Sequence, residues 1–576
     1  MRDEIIKKTK ELLPKEPSLN DYDKTYQSFE WKQAYKELDW FEDNKINAAY
    51  NAVDRNAQGD RKNKVALYWE SDDGQKLKYT FLDLMELSNK FANVLKNLGV
   101  ERGDRVFFFL PRVPELYYGF LGTLKTGAIA GTLFAAFGEQ ALFDRLQNSA
   151  AKILVTNKEL KERVDKIKGD LPKLEKILLV DAARGDRGAL SLPREMSGAS
   201  EEFKVAHMDA DESAFMLYTS GTTGKPKGII HQHLAILHQH MSAKWALDIK
   251  EDDIYWCTAD PGWVTGIAYG ILGTWSLGAA TLVYEGRFSP AKWYELLQEY
   301  DVTVWYTAPT AIRILMAAGD ELPRKYDLHQ LRHLCSVGEP LNPEGVKWGK
   351  KIFGIPFHDT WWQTETGGIL IANYPIMDIK PGSMGKPLPG IIAGIVDDNG
   401  KELPPMREGN IAIRPGWPGM MQKIWRRQQK YESCFINNWY ISGDRGYKDK
   451  DGYFWFIGRA DDVIKTAGER VGPFEVESAL VEHPSVVEAG VIGKPDPIRG
   501  EIIKAFVILK DGVKGSDKLV EDIQKYIKKH LAGHAYPREI EFVNSLPKTR
   551  SGKIVRRFLK AKEMGLPIGD TSTLVE

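Results

Sequence analysis

From Lys64 onward, short apolar runs alternate with longer amphipathic ones, and this rhythm restricts the fold more than any other property of the chain. KVALYWE reads as a strand, and FLDLMELSNKFANVLKNLG has apolar residues at helical spacing and stops at Gly99. RVFFFL, PELYYGFLGTLKTG and AIAGTLF repeat the order strand, helix, strand, and AKILVT and KILLVD continue it. TLVYEG, TVWYTAP and HLCSVGEP have the same texture farther along. Apolar strands separated by helices predict a mostly parallel sheet covered on both faces, which is a doubly wound α/β body.

With 576 residues the chain exceeds what one core holds, which is roughly 250–300 residues. We therefore expect a large N-terminal domain over 1–459, built of more than one subdomain, and a separate module after it. The segment 1–60 is polar and aromatic without strand rhythm, and reads as an extension packed on the body. From about 382 to 459 short strands alternate with Gly/Pro turns, the pattern of a small β-subdomain. Over 460–576, EVESALVEH and VEDIQKYIKKHL read as helices, and VVEAGVIG, KAFVILK and REIEFV as strands, giving a compact α+β domain.

Lys plus Arg and Asp plus Glu both number 79, so no net field draws in nucleic acid or an anionic membrane. No run of roughly 18 apolar residues reads as a membrane span. Cys257, Cys335 and Cys434 are far apart, which argues against a disulfide framework or a cysteine zinc site and suits a reducing cytoplasm.

The chemistry concentrates in Thr219-Ser220-Gly221-Thr222-Thr223-Gly224-Lys225-Pro226-Lys227-Gly228, preceded by the strand AFMLY. Glycines let backbone N–H groups approach phosphates, hydroxyls donate, and lysines neutralise. Read without context, the same residues could form a solvated Gly/Thr turn. A Walker A loop is excluded, because Pro226 follows Gly224-Lys225 where Ser or Thr is required.

YTSGTTGKPKG resembles the signature loop of the acyl-adenylate-forming superfamily: acyl-CoA synthetases, luciferases and peptide-synthetase adenylation domains. The segments running from Asp359 to Gly367, Ser442 to Asp444, Gly458 to Asp462, Gly468 to Arg470 and Pro547 to Lys553 follow in that superfamily's order. Within it, DWFEDNKINAAYNAVDR, YWCTADPGWVTG, SVGEPLNP and DTWWQTETGG resemble the acetyl-CoA synthetases, of the compact bacterial type.

The resemblance implies an AMP-forming acetate:CoA ligase using ATP, CoA and Mg²⁺, working through an acyl-adenylate. A carboxylate must then attack a phosphate, anion on anion, so the site must supply positive charge and fixed donors. By resemblance, the loop of Thr219, Ser220, Gly221, Thr222, Thr223, Gly224, Lys225 and Lys227 holds the β- and γ-phosphates. Gly338, Glu339 and Pro340, with Asp359, Thr360 and Trp361, form the adenine wall. Gln363 and Thr364 belong to the nucleotide site, Glu365 ligates Mg²⁺, and Asp444 grips the ribose hydroxyls. Arg459 and Arg470 contact ribose or phosphate. Lys553 bridges the attacking carboxylate and the α-phosphate, and Asp461 is the hinge about which a mobile C-terminal domain turns between the half-reactions. Ala467 and Gly468 line the pantetheine tunnel with Thr265, and Lys528 stands where the family often has an arginine for CoA. Trp362 floors the acyl pocket, lined further by Val264, Thr265 and Val337, so acetate is the expected acid, with propionate or medium chains as alternatives. Val481, His483 and Val486 match a metal-binding turn, and acetylation of Lys553 by an acetyltransferase, reversed by a deacetylase, would erase its charge.

Read from the residues alone, several of these positions have blander explanations. Lys553 sits in a basic patch with Lys548, Arg550, Arg556 and Arg557, Trp362 could be a core aromatic, and Asp461 could cap a helix. His231, His233, His238 and His240 recur at intervals on an expected helix, which suits a transition-metal site or, better, a solvated or hydrogen-bonded face. An amino-acid adenylation domain would need a carboxylate greeting the ammonium group, and WCTADPGWVTG offers only Asp260.

Overall fold

The structure is a computed structural model describing residues 5–186, 188–219, 226–466, 469–531, 535–548 and 554–566, with Glu469 and Arg470 described by backbone only. The alternation becomes two large, mostly parallel sheets. Across the first run Lys386–Pro387, Ile371–Ala372, Phe357–Trp361, His333–Ser336, Val304–Thr307, Ile254–Cys257, Ala280–Tyr284, Val65–Glu70 and Lys76–Thr80, antiparallel only at the two ends. Across the second run Lys423–Ile424, Lys227–Gln232, Ser213–Thr219, Ile129–Phe134, Arg105–Leu110, Ile153–Thr156, Lys176–Leu179 and Leu190–Ser191.

Local sequence sets the elements between them. The helix Phe81–Asn97 starts at a reciprocal cap: the amide of Asp83 donates to Thr80 Oγ1 at 3.1 Å, and that of Thr80 to the Asp83 carboxylate at 2.7 Å. Its buried Leu84, Phe91 and Leu95 face the core. Pro114 opens the helix Pro114–Thr126, and Gly127 ends it at φ 80°. These helices and Ala235–Trp245 lie in one continuous core fed by both sheets, with Leu67, Tyr255 and Tyr306 from the first and Val106, Phe108, Phe215 and Leu217 from the second. Separate cores cover the outer faces, around Phe107 and Leu154 on one sheet and Trp256 and Trp305 on the other.

An antiparallel sheet follows, from Ala393–Val396, Gly409–Ile413, Phe435–Ile436, Trp439–Lys448 and Phe454–Arg459. It begins at Ala393 rather than near 382, because Lys386–Pro387 still closes the first large sheet. The C-terminal part has its own sheet and its own core around Val476, Val491, Ala505 and Ile527. The N-terminal segment packs on the body through Tyr22, Tyr26 and Trp31, which donate to the carbonyls of Pro387, Ile391 and Gly390. Among the described residues no helix is long and apolar enough to cross a membrane.

Two local readings change. Lys227–Gln232 is a strand antiparallel to Ser213–Thr219, with Thr219 opposite Lys227, so a strand and not a helix resumes after the glycine-rich segment. His231 therefore lies on a strand, and only His238 and His240 stand on the helix Ala235–Trp245. Asp461 and Asp462 precede the strand Ile464–Thr466, so neither caps a helix.

Candidate active site

The elements carrying the expected nucleotide residues converge on Asp444. This carboxylate is buried, and its Oδ2 accepts from Trp361 Nε1 at 3.0 Å and from Gln363 Nε2 at 2.9 Å. Its Oδ1 accepts from Arg459 Nη1 at 3.1 Å, because Asp444 and Arg459 face each other across paired strands. Gly443 makes room for that pair: its φ is 74°, and a Cβ there would lie 3.2 Å from Arg459 Nη2. A carboxylate offers about four lone-pair directions. Three are taken, so one stays open for a ribose hydroxyl, and a second hydroxyl would displace one of the present donors. Tyr440 in turn donates to Gln363 Oε1 at 2.9 Å, which fixes the amide.

Beside this hub lie the strand Phe357–Trp361 and the loop after His333–Ser336, which carry the residues expected at the adenine. Asp359 is buried and accepts from Ser336 Oγ at 2.7 Å, and burial pushes its carboxyl up to about 7. Thr360 Oγ1 meets the Tyr306 hydroxyl at 2.6 Å. Gly338 is exposed at φ 92°, a backbone geometry that disfavours any other residue. Glu339 is held by Thr310 Oγ1 at 2.8 Å and Arg313 Nη2 at 2.9 Å, and Pro340 follows it, partly buried.

The turn Thr364–Thr366 hangs from a set of buried side chains that sequence reasoning did not assign to the site. His231 Nε2–H donates to the Thr364 carbonyl at 2.8 Å, Trp417 Nε1–H to Thr366 at 2.9 Å, Gln239 Nε2–H to Gly367 at 3.0 Å and His238 Nε2–H to Ile369 at 2.8 Å. Burial lowers both His231 and His238 to about 4, so each stays neutral. Gly367, at φ 69°, packs so closely on Gly419 that a Cβ would collide with its carbonyl. With its carbonyls drawn inward, the turn presents Thr364 and Glu365 at fixed positions. Glu365 Oε1 lies 4.0 Å from Lys227 Nζ, so the expected metal ligand and a phosphate-loop lysine share one place. The histidines are thus buried and hydrogen-bonded, not solvated: His231 and His238 scaffold the turn, while His233 accepts from the Ala48 amide and His240 meets Ser276 Oγ, and among the described residues no group of three or more His, Cys, Asp or Glu could hold a metal. The spacing His231-Gln-His233 was visible, but nothing in the sequence said which backbone it would meet.

Of the expected acyl-pocket residues, Val264 and Val337 are buried in the large core shared by the two sheets, Trp362 packs against that core, and Thr265 is buried next to Val264 on the short helix Val264–Ile267. Trp362 Nε1–H donates to the Tyr306 hydroxyl at 3.2 Å. Asp260, the carboxylate an amino-acid substrate would need, accepts from the Gly262 amide at 2.8 Å.

Other expected residues stand apart or outside. Ser220 to Lys225, Ala467, Gly468 and Lys553 lie outside the described residues, as does the Arg470 side chain. Lys528 is exposed, its ammonium 4.0 Å from the Tyr536 ring centre. Asp461 is exposed, 3.8 Å from Arg459 Nε. Val481 ends the helix Pro473–Val481. His483 is buried, 3.4 Å from Asp522, and its own carbonyl is taken by the Val486 amide at 3.0 Å.

Comparison with known proteins places the chain. The family of AMP-binding enzymes matches residues 53–425, and the AMP-binding enzyme C-terminal domain matches 475–553. The chain belongs to the AMP-binding enzyme family. Among its relatives this AMP-binding enzyme is 56% identical over 560 residues to an acetyl-coenzyme A synthetase of Bacillus subtilis, covering 97% of each chain. Its structure matches a Brucella canis acyl-CoA synthetase with a TM-score of 0.75 at 36% identity, covering 95% of this chain and 99% of that one. It also matches the anthranilate CoA ligase AuaEII in complex with anthranoyl-AMP, with a TM-score of 0.83 at 31% identity, covering 91% and 98%.

Proposed function

We propose that this AMP-binding enzyme is an AMP-forming acetate:CoA ligase. The observation that carries the reading is the Asp444 hub, where Trp361, Gln363 and Arg459 meet one carboxylate, with Trp362, its indole N–H held by Tyr306, between Trp361 and Gln363 in sequence. Likeness over 97% of the chain to an acetyl-coenzyme A synthetase supports acetate as the acid.

In the first half-reaction an acetate oxygen bonds to the α-phosphorus of ATP, and the bond to the β-phosphate bridging oxygen breaks, releasing pyrophosphate. Lys227 and the glycine-rich segment before it hold the leaving phosphates. Lys553 offsets the charge of the two approaching anions. Asp444 orients the ribose, and Asp359 to Trp361 with Gly338 to Pro340 flank the adenine. In the second, the CoA sulfur bonds to the carbonyl carbon, AMP leaves with the oxygen it shared, and the thiol proton passes to solvent. A C-terminal domain over 460–576, turning at Asp461, would exchange Lys553 for Gly468 between the two steps, with Thr265, Ala467, Arg470 and Lys528 toward CoA.

The residues present fit Mg²⁺. Glu365 offers a partly buried carboxylate beside Lys227, a hard oxygen ligand near the phosphate loop. Mg²⁺ bound there would neutralise phosphate charge. All three cysteines are free, which suits the cytoplasm, and acetylation of Lys553 would act by removing its charge.

Pyrophosphate exchange into ATP, measured with acetate, propionate, butyrate and amino acids, tests the reading. Acetate-dependent exchange is expected. Exchange driven only by longer acids would move the substrate assignment, and none with any acid would end it.

A further inference from the structure

Alongside the strand Lys227–Gln232 lies a run of cations that the reaction scheme above does not use. The Trp425 amide donates to the Gly228 carbonyl at 2.8 Å, which brings the chain after the strand Lys423–Ile424 level with Lys227. There the chain reverses: the Arg427 amide donates to the Ile424 carbonyl at 3.0 Å, and Arg426 takes a φ of 54°. Arg427 leads into the short helix Gln428–Glu432, which carries Lys430. Arg426 and Lys430 are exposed, and Arg427 is partly buried.

Two neighbours show where these charges act. Burial raises the Tyr218 hydroxyl, and the charges of Arg145, Arg426 and Arg427 pull it back down. Tyr218 immediately precedes Thr219, the last strand residue before the glycine-rich segment. Burial also raises the Cys434 thiol, which the charges of Lys430, Glu365 and Lys227 reach. Lys227 is the first strand residue after that segment, and its Nζ lies 4.0 Å from Glu365 Oε1. The cations thus stand beside both described ends of the segment.

Their arrangement is costly without an anion. Arg426, Arg427 and Lys430 are in no ion pair among the described residues, and Glu432, on the same helix as Lys430, accepts from Gln428 Nε2 at 2.9 Å. Like charges gathered without partners repel one another and raise the local concentration of anions. Arg426 also holds a left-handed backbone that glycine adopts freely and arginine does not. Its guanidinium lies 5.6 Å from the ring centre of Trp425, whose indole N–H donates to the Asn148 carbonyl at 3.0 Å. A solvated basic face would need neither the strained backbone nor the aromatic seat.

We propose that Arg426, Arg427 and Lys430 form a cationic collar for a diphosphate group, the β- and γ-phosphates of ATP before the first half-reaction and pyrophosphate after it. The inference rests on the ligase reading.

The test measures dissociation constants for magnesium pyrophosphate, magnesium ATP and AMP, without acetate, on the full chain carrying Arg426→Gly, Arg427→Gln, Lys430→Gln or all three. At low ionic strength each single variant is expected to weaken pyrophosphate and ATP about two- to fivefold, and the triple variant more than about tenfold. AMP, which lacks the diphosphate, should stay within about twofold. Added salt should weaken pyrophosphate less in the triple variant than in the unaltered protein. Arg427→Lys, which keeps the charge, should recover most of the affinity. Arg426→Gly relieves the backbone, so it should weaken pyrophosphate without lowering the thermal midpoint, a split that a merely structural residue would not give. Unchanged pyrophosphate affinity in the triple variant, or an equal loss for AMP, would overturn the collar. If the unaltered protein exchanged no pyrophosphate into ATP with any acid, the ligase reading would fall instead, while the binding comparison would still decide the collar.

Discussion

The indole of Trp362 stands perpendicular to the ring of Tyr269, with centroids 5.2 Å apart. Tyr269 is itself fixed, its hydroxyl accepting from the Ile369 amide at 2.7 Å and meeting Ser242 Oγ at 2.7 Å. Packed on Tyr269 and hydrogen-bonded to Tyr306, Trp362 is held in place, and in the proposed site it floors the acyl pocket. Trp362→Gly is expected to open space for several methylenes, each worth about 1–3 kcal/mol. In exchange assays, butyrate and hexanoate should rise relative to acetate. An unchanged chain-length profile in a folded variant would remove Trp362 from the pocket.

Gln239 tests the scaffold of the Thr364–Thr366 turn without touching substrate. Gln239→Ala leaves the buried Gly367 carbonyl without its donor, at a cost of about 1–3 kcal/mol. Denaturant unfolding should show that loss of stability, and steady-state assays should show a lower kcat for adenylation. A stability loss with kinetics untouched would mean that the turn's position does not depend on this bond.

The histidines set a pH dependence. Burial depresses His231 and His238 to about 4, and His233 and His333 to about 3, below the ordinary value of 6.5. The unfolded chain therefore binds more protons than the folded one between those values. Stability is full above about pH 6.5 and declines as pH falls toward 4 and below. Thermal midpoints measured from pH 7.5 to 4.5 should drop over the lower part of that range, and less steeply in His333→Asn. A flat profile would mean that these rings are not buried as neutral groups.

Much of this architecture was legible beforehand because alternating apolar strands and helices admit few folds, and the strands Val65–Glu70, Arg105–Leu110 and Val304–Thr307 stand where the pattern put them. The strand Lys227–Gln232 was not legible, since the run after Gly228, IIHQHLAIL, is apolar enough for a strand and a helix alike and turns out to contain both. The scaffold was hidden for a different reason. Its donors, His231, Gln239 and Trp417, meet carbonyls between 51 and 133 positions away, and no local spacing encodes such a meeting. The Asp444 hub lay between: each residue belonged to a recognisable segment, but only folding shows that three donors share one carboxylate.

Lys553 carries the electrostatic argument. Lys553→Ala is expected to lower acyl-adenylate formation by several orders of magnitude while sparing thioester formation from supplied acetyl-adenylate, because a single charge placed between two anions acts only in the first step. Rapid-quench assays of the two half-reactions give the comparison. Equal loss in both would contradict a domain that changes position between steps.

The central claim is that the carboxylate attacks the α-phosphorus. Supplying acetate labelled with oxygen-18, together with ATP, Mg²⁺ and CoA, and analysing the products by mass spectrometry follows that oxygen directly. One labelled oxygen should appear in AMP and none in pyrophosphate. Label in inorganic phosphate, accompanied by ADP, would show attack at the γ-phosphorus and contradict the account.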